Sequence, residues 1–225
     1  MAFYKVSTAE DQVKDRGENV YINKSGIYDV ILKHVIVNKS NNGSEAIDLV
    51  IEYEGVSQTL FGAVRLTNND GSTNFGANMF NKLCIVCGAS EGTEIADPVP
   101  VELPIGKGGE MKECMELAES AFQDEPITIR IQLEYGMYDG SIKERKVLKN
   151  IFRTTDHATA QEIVNNTDFG KQYIQEEKSA DKVTYKDGIL PEDVEKWRKE
   201  KMNGTKENKD DTSSKYQRHS FGRVV

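Results

Sequence analysis

The chain has 225 residues, 37% hydrophobic and 8% aromatic, and its 37 Asp and Glu outweigh 29 Lys and Arg to leave a formal net charge of −8. That length holds one folded domain with an extension, or two small domains, and the acidic total argues against a general duplex-DNA binder, although one face can differ from the sum. No run approaches the roughly 18 consecutive apolar residues of a membrane helix, and the opening Met1-Ala2-Phe3-Tyr4-Lys5-Val6-Ser7 lacks a basic segment followed by an apolar core, so a soluble, cytoplasmic protein with no membrane contact is expected.

Residues 1–24 read as an N-terminal arm. Residues 26–38 are apolar on both faces, as in a strand that bends and feeds the core along its whole length. A Lys39-Ser40-Asn41-Asn42-Gly43-Ser44 loop leads to residues 46–53, where Ile47, Leu49, Ile51 and Tyr53 alternate with mostly polar neighbours. One face of this second strand should be buried, and Asp48 and Glu52 should make the other acidic and wet. Glu54-Gly55 turns the chain into a third strand over residues 56–67, with Leu60, Val64 and Leu66 inward and Phe61, Ala63 and Arg65 outward.

After the turn-rich Asn68-Asn69-Asp70-Gly71-Ser72, residues 79–88 predict a short helix that presents Met79, Phe80, Leu83, Cys84 and Cys87 on one face and stops at Gly88. Asp97-Pro98-Val99-Pro100 and Gly106-Lys107-Gly108-Gly109 mark a connection suited to a mobile loop, and a second helix is expected over residues 111–122. Period two then returns in Ile127, Ile129, Ile131, Leu133 and Tyr135; Tyr138-Asp139-Gly140-Ser141 turns the chain back into a last core strand over residues 143–153. The expected fold is mostly β: a five-stranded OB-fold barrel over residues 25–169 with short helices, an arrangement that a five-stranded sandwich would nearly duplicate in sequence.

Residues 170–225 read as a polar, partly disordered tail with a helix near residues 191–202, opened by Pro191 and anchored by Trp197, which would dock on the chain's own domain or on a partner. Residues 157–225 hold 13 basic and 13 acidic residues, so the whole excess of −8 belongs to the first 156.

Catalytic signatures are missing from the pattern. Gly106-Lys107-Gly108-Gly109-Glu110 lacks the second half of a phosphate-loop spacing. Cys84 and Cys87 have CxxC spacing but apolar residues between them, no second pair follows, and Cys114, His34, His157 and His219 lie far apart. Three cysteines set among apolar residues read as reduced interior thiols, and the Asn-x-Ser/Thr matches at Asn23, Asn38, Asn165 and Asn203 then carry no glycosylation meaning. Glu113, Glu116 and Glu119 fall at helical spacing on an expected solvated face. We therefore expect no enzyme, no metal and no cofactor.

One local feature stands out. Residues 127–153 carry Arg130, Lys143, Arg145, Lys146, Lys149 and Arg153 against Glu134, Asp139 and Glu144, a net of +3. Phosphates are attracted to such a patch by counterion release, and exposed rings stack bases at about 1–3 kcal/mol each. The candidate phosphate contacts are Lys33, Arg65, Arg130, Lys143, Arg145, Lys146 and Lys149, and the candidate stacking rings are Phe61, Phe75 and Tyr138, with Tyr28 in reserve. Strand phase puts Lys146 opposite Arg145 and Lys149, so only part of the set can share a face. The plainer alternative is that these are ordinary solvating charges.

Gly26-x-Tyr28-x-Val30, the Lys39-Ser40 loop with Gly43, Ile47-Asp48-Leu49, Tyr53-Glu54-Gly55, Asn69-Asp70-Gly71 before a helix, and Asn150-Ile151-Phe152 together resemble the single-stranded DNA-binding proteins of bacteriophages over roughly residues 20–155. The resemblance implies an OB-fold core that binds single-stranded DNA without sequence preference during phage replication, recombination or repair, in the host cytoplasm. Proteins of that kind commonly end in an acidic tail that recruits replication partners. Here the end, Lys215-Tyr216-Gln217-Arg218-His219-Ser220-Phe221-Gly222-Arg223-Val224-Val225, is basic and aromatic. It is a candidate extension of the DNA surface, or a candidate contact for replication or recombination proteins or for another subunit, so homo-oligomers stay open, as does the choice of DNA over RNA. Two rival functions remain: a virion or assembly protein with a β-barrel core, and a small hydrolase using Cys84 or Cys87.

Overall fold

The computed structural model describes residues 21–40, 43–105 and 109–210, with side chains through residue 201. Most of the N-terminal arm, Asn41-Asn42, the Gly106-Lys107-Gly108 loop and the basic C-terminal end lie outside the described residues. Two compact units divide the chain: Met1–Gln132 with Val147–Asp181, and Leu133–Lys146 with Lys182–Val225.

The first unit is mostly β. β1 (Gly26–Lys39), β2 (Glu45–Tyr53) and β3 (Val56–Arg65) form an antiparallel meander. The register of β1 against β2 shifts between Leu32 and His34, and its two halves take different further partners. Its first half pairs with β6 (Glu125–Tyr138), from Gly26 opposite Ile131 to Leu32 opposite Glu125. Ile36 and Val37 pair with β5 (Lys112–Glu116). β5 in turn pairs with β4 (Val99–Leu103), and β7 (Ser141–Arg153) lies against β6. Among the described residues β3 and β7 share no pairing, so the sheet is not closed into a barrel.

Alternation builds the core. Leu32, Val35, Ile47, Leu49, Ile51, Ile127, Ile129 and Ile131 are fully buried, each contributing about 1.5–3 kcal/mol relative to an exposed side chain. α1 (Ala77–Val86) adds Leu83, Cys84 and Val86, and Gly88, at φ +95°, takes the left-handed turn that ends it.

Two expectations are corrected. Residues 111–122 form β5 and then a single 3₁₀ turn, Ser120–Phe122, in place of a helix. Cross-strand partners override the local helical spacing: Cys114 faces Val101, and the Leu117 N–H donates to the Val35 carbonyl at 2.9 Å. The second face of β2 is also covered, because Val50 joins Ile36 and Leu103 in a separate cluster under the β4–β5 hairpin. Asp48, expected in water, is 7% exposed.

Behind β6 and β7 sit α2 (Ala160–Asn165) and α3 (Lys171–Glu177). Thr159 and Glu162 make a reciprocal capping box at the start of α2. Tyr173 of α3 stacks on His157 with ring centroids 4.1 Å apart and meets Phe152 edge-on at 5.4 Å.

In the second unit, the tip of the β6–β7 hairpin is joined by β8 (Thr184–Tyr185), parallel to β6, and by α4 (Pro191–Asp210). Leu133, Tyr135, Ile189 and Val194 form its core. Trp197 meets the Tyr135 ring edge-on at 6.3 Å, so of the two docking options this anchor takes its own chain. The Tyr135 hydroxyl donates to Glu144 at 2.6 Å, and the Arg198 guanidinium, 5.5 Å from the ring centroid, donates to both. Burial, and the Glu144 carboxylate after it, push the Tyr135 hydroxyl well above its ordinary pKa. No helix among the described residues is long and apolar enough to cross a membrane.

Candidate nucleic-acid interface

Three of the predicted residues converge at the β3–α1 edge of the first unit. Leu60 pairs with Leu49 and Val64 with Ile47, so Phe61-Gly62-Ala63 bulges opposite the single residue Asp48. Gly62 has φ +57°, a conformation that suits glycine, and its N–H donates to the buried Asp48 carboxylate at 2.6 Å. Burial raises the pKa of that carboxyl, with the Gly62 N–H and the Asn38 side chain opposing the shift. The bulge is held from beneath, and it leaves Phe61 70% exposed.

Four residues further on, Arg65 is exposed and has no ion pair among the described residues. The chain then folds back through a tight loop. Thr67 and Thr73 form a bridge, the Asn74 N–H donates to the Leu66 carbonyl at 2.7 Å, and the Asn74 side chain accepts from Gly76 N–H at 3.0 Å. Gly76 presses on the Arg65 backbone so closely that a Cβ there would lie 2.2 Å from the Arg65 carbonyl oxygen. The backbone of Phe75, one residue away, is thereby brought near that of Arg65, and its side chain is 87% exposed. Two exposed rings and an exposed guanidinium with no ion pair among the described residues thus sit on backbone tied by hydrogen bonds.

The other predicted residues are placed differently. Lys33 is paired to Asp124 and lies 4.0 Å from Glu52. Arg130 is directed inward: its guanidinium pairs with Glu176 at 2.9 Å and donates to the Ser179 carbonyl at 3.0 Å, with both charged side chains largely covered. Lys149 is half-buried in the first unit, in the wall of a cleft next to α2 and α3. Tyr138, Lys143, Arg145 and Lys146 belong to the second unit. There Tyr138 is 71% exposed, Lys143 and Arg145 are exposed, and Lys146 is half-buried, its ammonium pKa lowered by desolvation against the pull of Glu144. Tyr28 is turned edge-on to Tyr53 at 5.3 Å and donates to the Lys24 carbonyl.

The carboxylates expected on a helical face divide as well. Glu116 is buried against His34 at 2.6 Å, Glu119 accepts the Ala96 N–H at 2.8 Å, and Glu113 is exposed. Burial pushes the Cys84 thiol up to about 11 and Cys87 to about 12. At neutral pH both stay protonated and poorly nucleophilic.

Sequence reasoning passed over Lys82 and Phe169. Lys82 occupies a half-buried position on α1, and Phe169, just before α3, is 46% exposed with the Arg153 guanidinium 5.4 Å over its ring. An apolar residue between Asp168 and Gly170 in a polar stretch was the signal available.

Compared with models of protein families, the chain matches none, and no curated protein matches it.

Proposed function

We propose that the protein binds single-stranded nucleic acid without sequence preference, as a non-enzymatic single-stranded DNA-binding protein, and that Phe61, Arg65 and Phe75 are the centre of its contact surface. The observation that carries this is the presence, on a braced bulge and the loop packed against its strand, of two rings 70% and 87% exposed and an exposed arginine with no ion pair among the described residues. Rings left in water have no role in the fold's own stability, whereas every base offers a face to stack on and every phosphate a charge for Arg65.

The strand order supports the same reading. β3-β2-β1 continued by β6 and β7, with α1 between β3 and β6, is the order of an OB-fold, in which the first strand is shared between two halves. We read these elements as the five strands of an OB-fold whose sheet stays open between β3 and β7, and treat β4 and β5 as an inserted hairpin. Within this reading the protein protects single strands during phage replication, recombination or repair in the host cytoplasm.

The test is fluorescence anisotropy of labelled oligo-dT, oligo-U and a duplex titrated with the full chain at low and high salt. The expected result is binding to the single strands that weakens with salt, and weak binding to the duplex. Salt-independent binding would contradict the phosphate contacts. Failure to bind either single strand, with self-association on a sizing column, would move the assignment to an assembly protein.

A further inference from the structure

On the assumption that the reading above is right, we infer that the single strand has a second contact region in the first unit, where α1, β7, α2 and α3 meet, with Phe169 as a stacking ring and Lys82, Lys171 and Lys178 as phosphate contacts.

A cleft of about 490 Å³ opens there, with Lys82, Lys149, Lys171 and the side-chain amides of Gln161 and Gln175 in its walls. Its two deeper carboxylates face inward. Glu176 accepts Arg130 at 2.9 Å through one oxygen, and Asn150 at 2.8 Å and Gln172 at 3.0 Å through the other. Glu162 accepts the backbone N–H of Thr159 at 2.8 Å through one oxygen and that of Gln172 at 2.9 Å through the other. Glu176 is thus charge-matched by Arg130, and Glu162, though still charged, has both oxygens taken by backbone N–H groups, so neither carboxylate is left without a donor at the cleft wall. The remaining acid, Asp168, pairs with Lys171 at 3.2 Å, but both side chains are more than half exposed. Such a pair is worth little and exchanges readily for a phosphate.

The cleft continues into a shallower one lined by Asp168, Phe169, Lys171, Ile174, Gln175 and Lys178. Arg153 lies over the Phe169 ring while Asp156 grips its guanidinium at 3.0 and 2.6 Å. The ring is thus oriented from one side while 46% of the residue stays exposed, and Ile174 beside it is 58% exposed. An apolar shelf bordered by two lysines and amides suits bases carried on a polyanion, and the charge argues for that occupant over an apolar protein face.

Continuity with the first region comes from α1. The helix starts two residues after Phe75 and carries Lys82 in the cleft wall, about 7.5 Å along the helix from its start at 1.5 Å per residue. A strand a few nucleotides longer than the Phe61–Phe75 region would reach the cleft.

The experiment compares the full chain with a Phe169→Ala/Lys171→Gln/Lys178→Gln variant on oligo-dT of about 8 and about 20 nucleotides, lengths that bracket the 4–16 nucleotides an OB-fold covers. The wild type should bind the longer strand more tightly. The variant should lose about tenfold or more on the longer strand and little on the shorter. The slope of log affinity against log salt should flatten by about 0.7 for each phosphate that the variant no longer neutralises, and restoring the ring as Phe169→Tyr should recover the stacking share. Equal wild-type affinity for both lengths, or a variant that matches wild type on the longer strand, overturns this inference and leaves the first contact region standing. Failure of the wild type to bind either length overturns both.

Discussion

Arg65 and Arg130 are both strand arginines in the first unit, and composition counts them alike. Arg130 is held by Glu176 and Ser179 under α3, in a network that also secures Asn150 and Gln172. Arg65 stands in solvent, as do Phe61 on the same strand and Phe75 in the loop after it. One region has its charges matched and its rings packed, as in Tyr173 on His157. The other keeps both its charge and its apolar surface available. The contrast teaches that a basic segment locates an interface only after the internally matched cations are set aside.

The largest expected effect lies in the matched region. Glu176→Ala leaves a covered guanidinium without its counter-charge, and urea unfolding should register a loss of about 3–5 kcal/mol, with the Arg65→Ala variant within about 0.5 kcal/mol of wild type. Equal stabilities for the two variants would erase the distinction. In the open region the pattern reverses: Phe61→Ala and Phe75→Ala should each weaken oligo-dT binding by about 1–3 kcal/mol while leaving the unfolding midpoint nearly unchanged.

Gly76→Ala links the two kinds of effect. Its Cβ meets the Arg65 carbonyl, so the loop must shift at about 1–3 kcal/mol of stability, and Phe75 moves with it. A variant with lowered stability and intact affinity would show that the placement of Phe75 is irrelevant to binding.

The smallest effects are in the pH dependence, with opposite signs at two carboxyls. Burial raises the Glu162 pKa, but the N–H groups of Thr159, Gln172 and Gly170, with the Thr159 hydroxyl, outweigh it and hold the carboxyl below its ordinary value. Its contribution is present above an unfolded pKa of about 4.3 and is lost as pH falls through the folded value, so Glu162→Gln should flatten the acid limb of a stability–pH curve. Asp48 is raised by burial. Its contribution is complete below about pH 3.9 and is lost as pH rises through the folded value, so Asp48→Asn should remove a decline on the neutral-going side. Acid limbs unchanged in both variants would contradict these assignments.

The strands of the meander and the β6–β7 hairpin were legible because alternation is local: Ile127, Ile129 and Ile131 announce both the strand and its buried face. β4 and β5 were not, since Pro98 and Pro100 read as a connection and the pairing of Cys114 with Val101 is a long-range fact. Asp48 was placed in water because nothing near it in sequence indicates the bulge or the hairpin that cover it. Phe61 and Arg65 were legible as outward residues of one strand face, and Phe75 as an aromatic in the turn-rich stretch that follows. The engagement of Lys33 and Arg130 was not, because their acidic partners lie 91 and 46 residues away.

The most direct test of the central claim is photo-crosslinking of an iodouridine-substituted single strand to the full chain, with the modified residues located by mass spectrometry. The account predicts that the strongest adducts fall on Phe61 and Phe75. Adducts confined to the second unit, around Tyr138, with Phe61 and Phe75 unmodified, would contradict it.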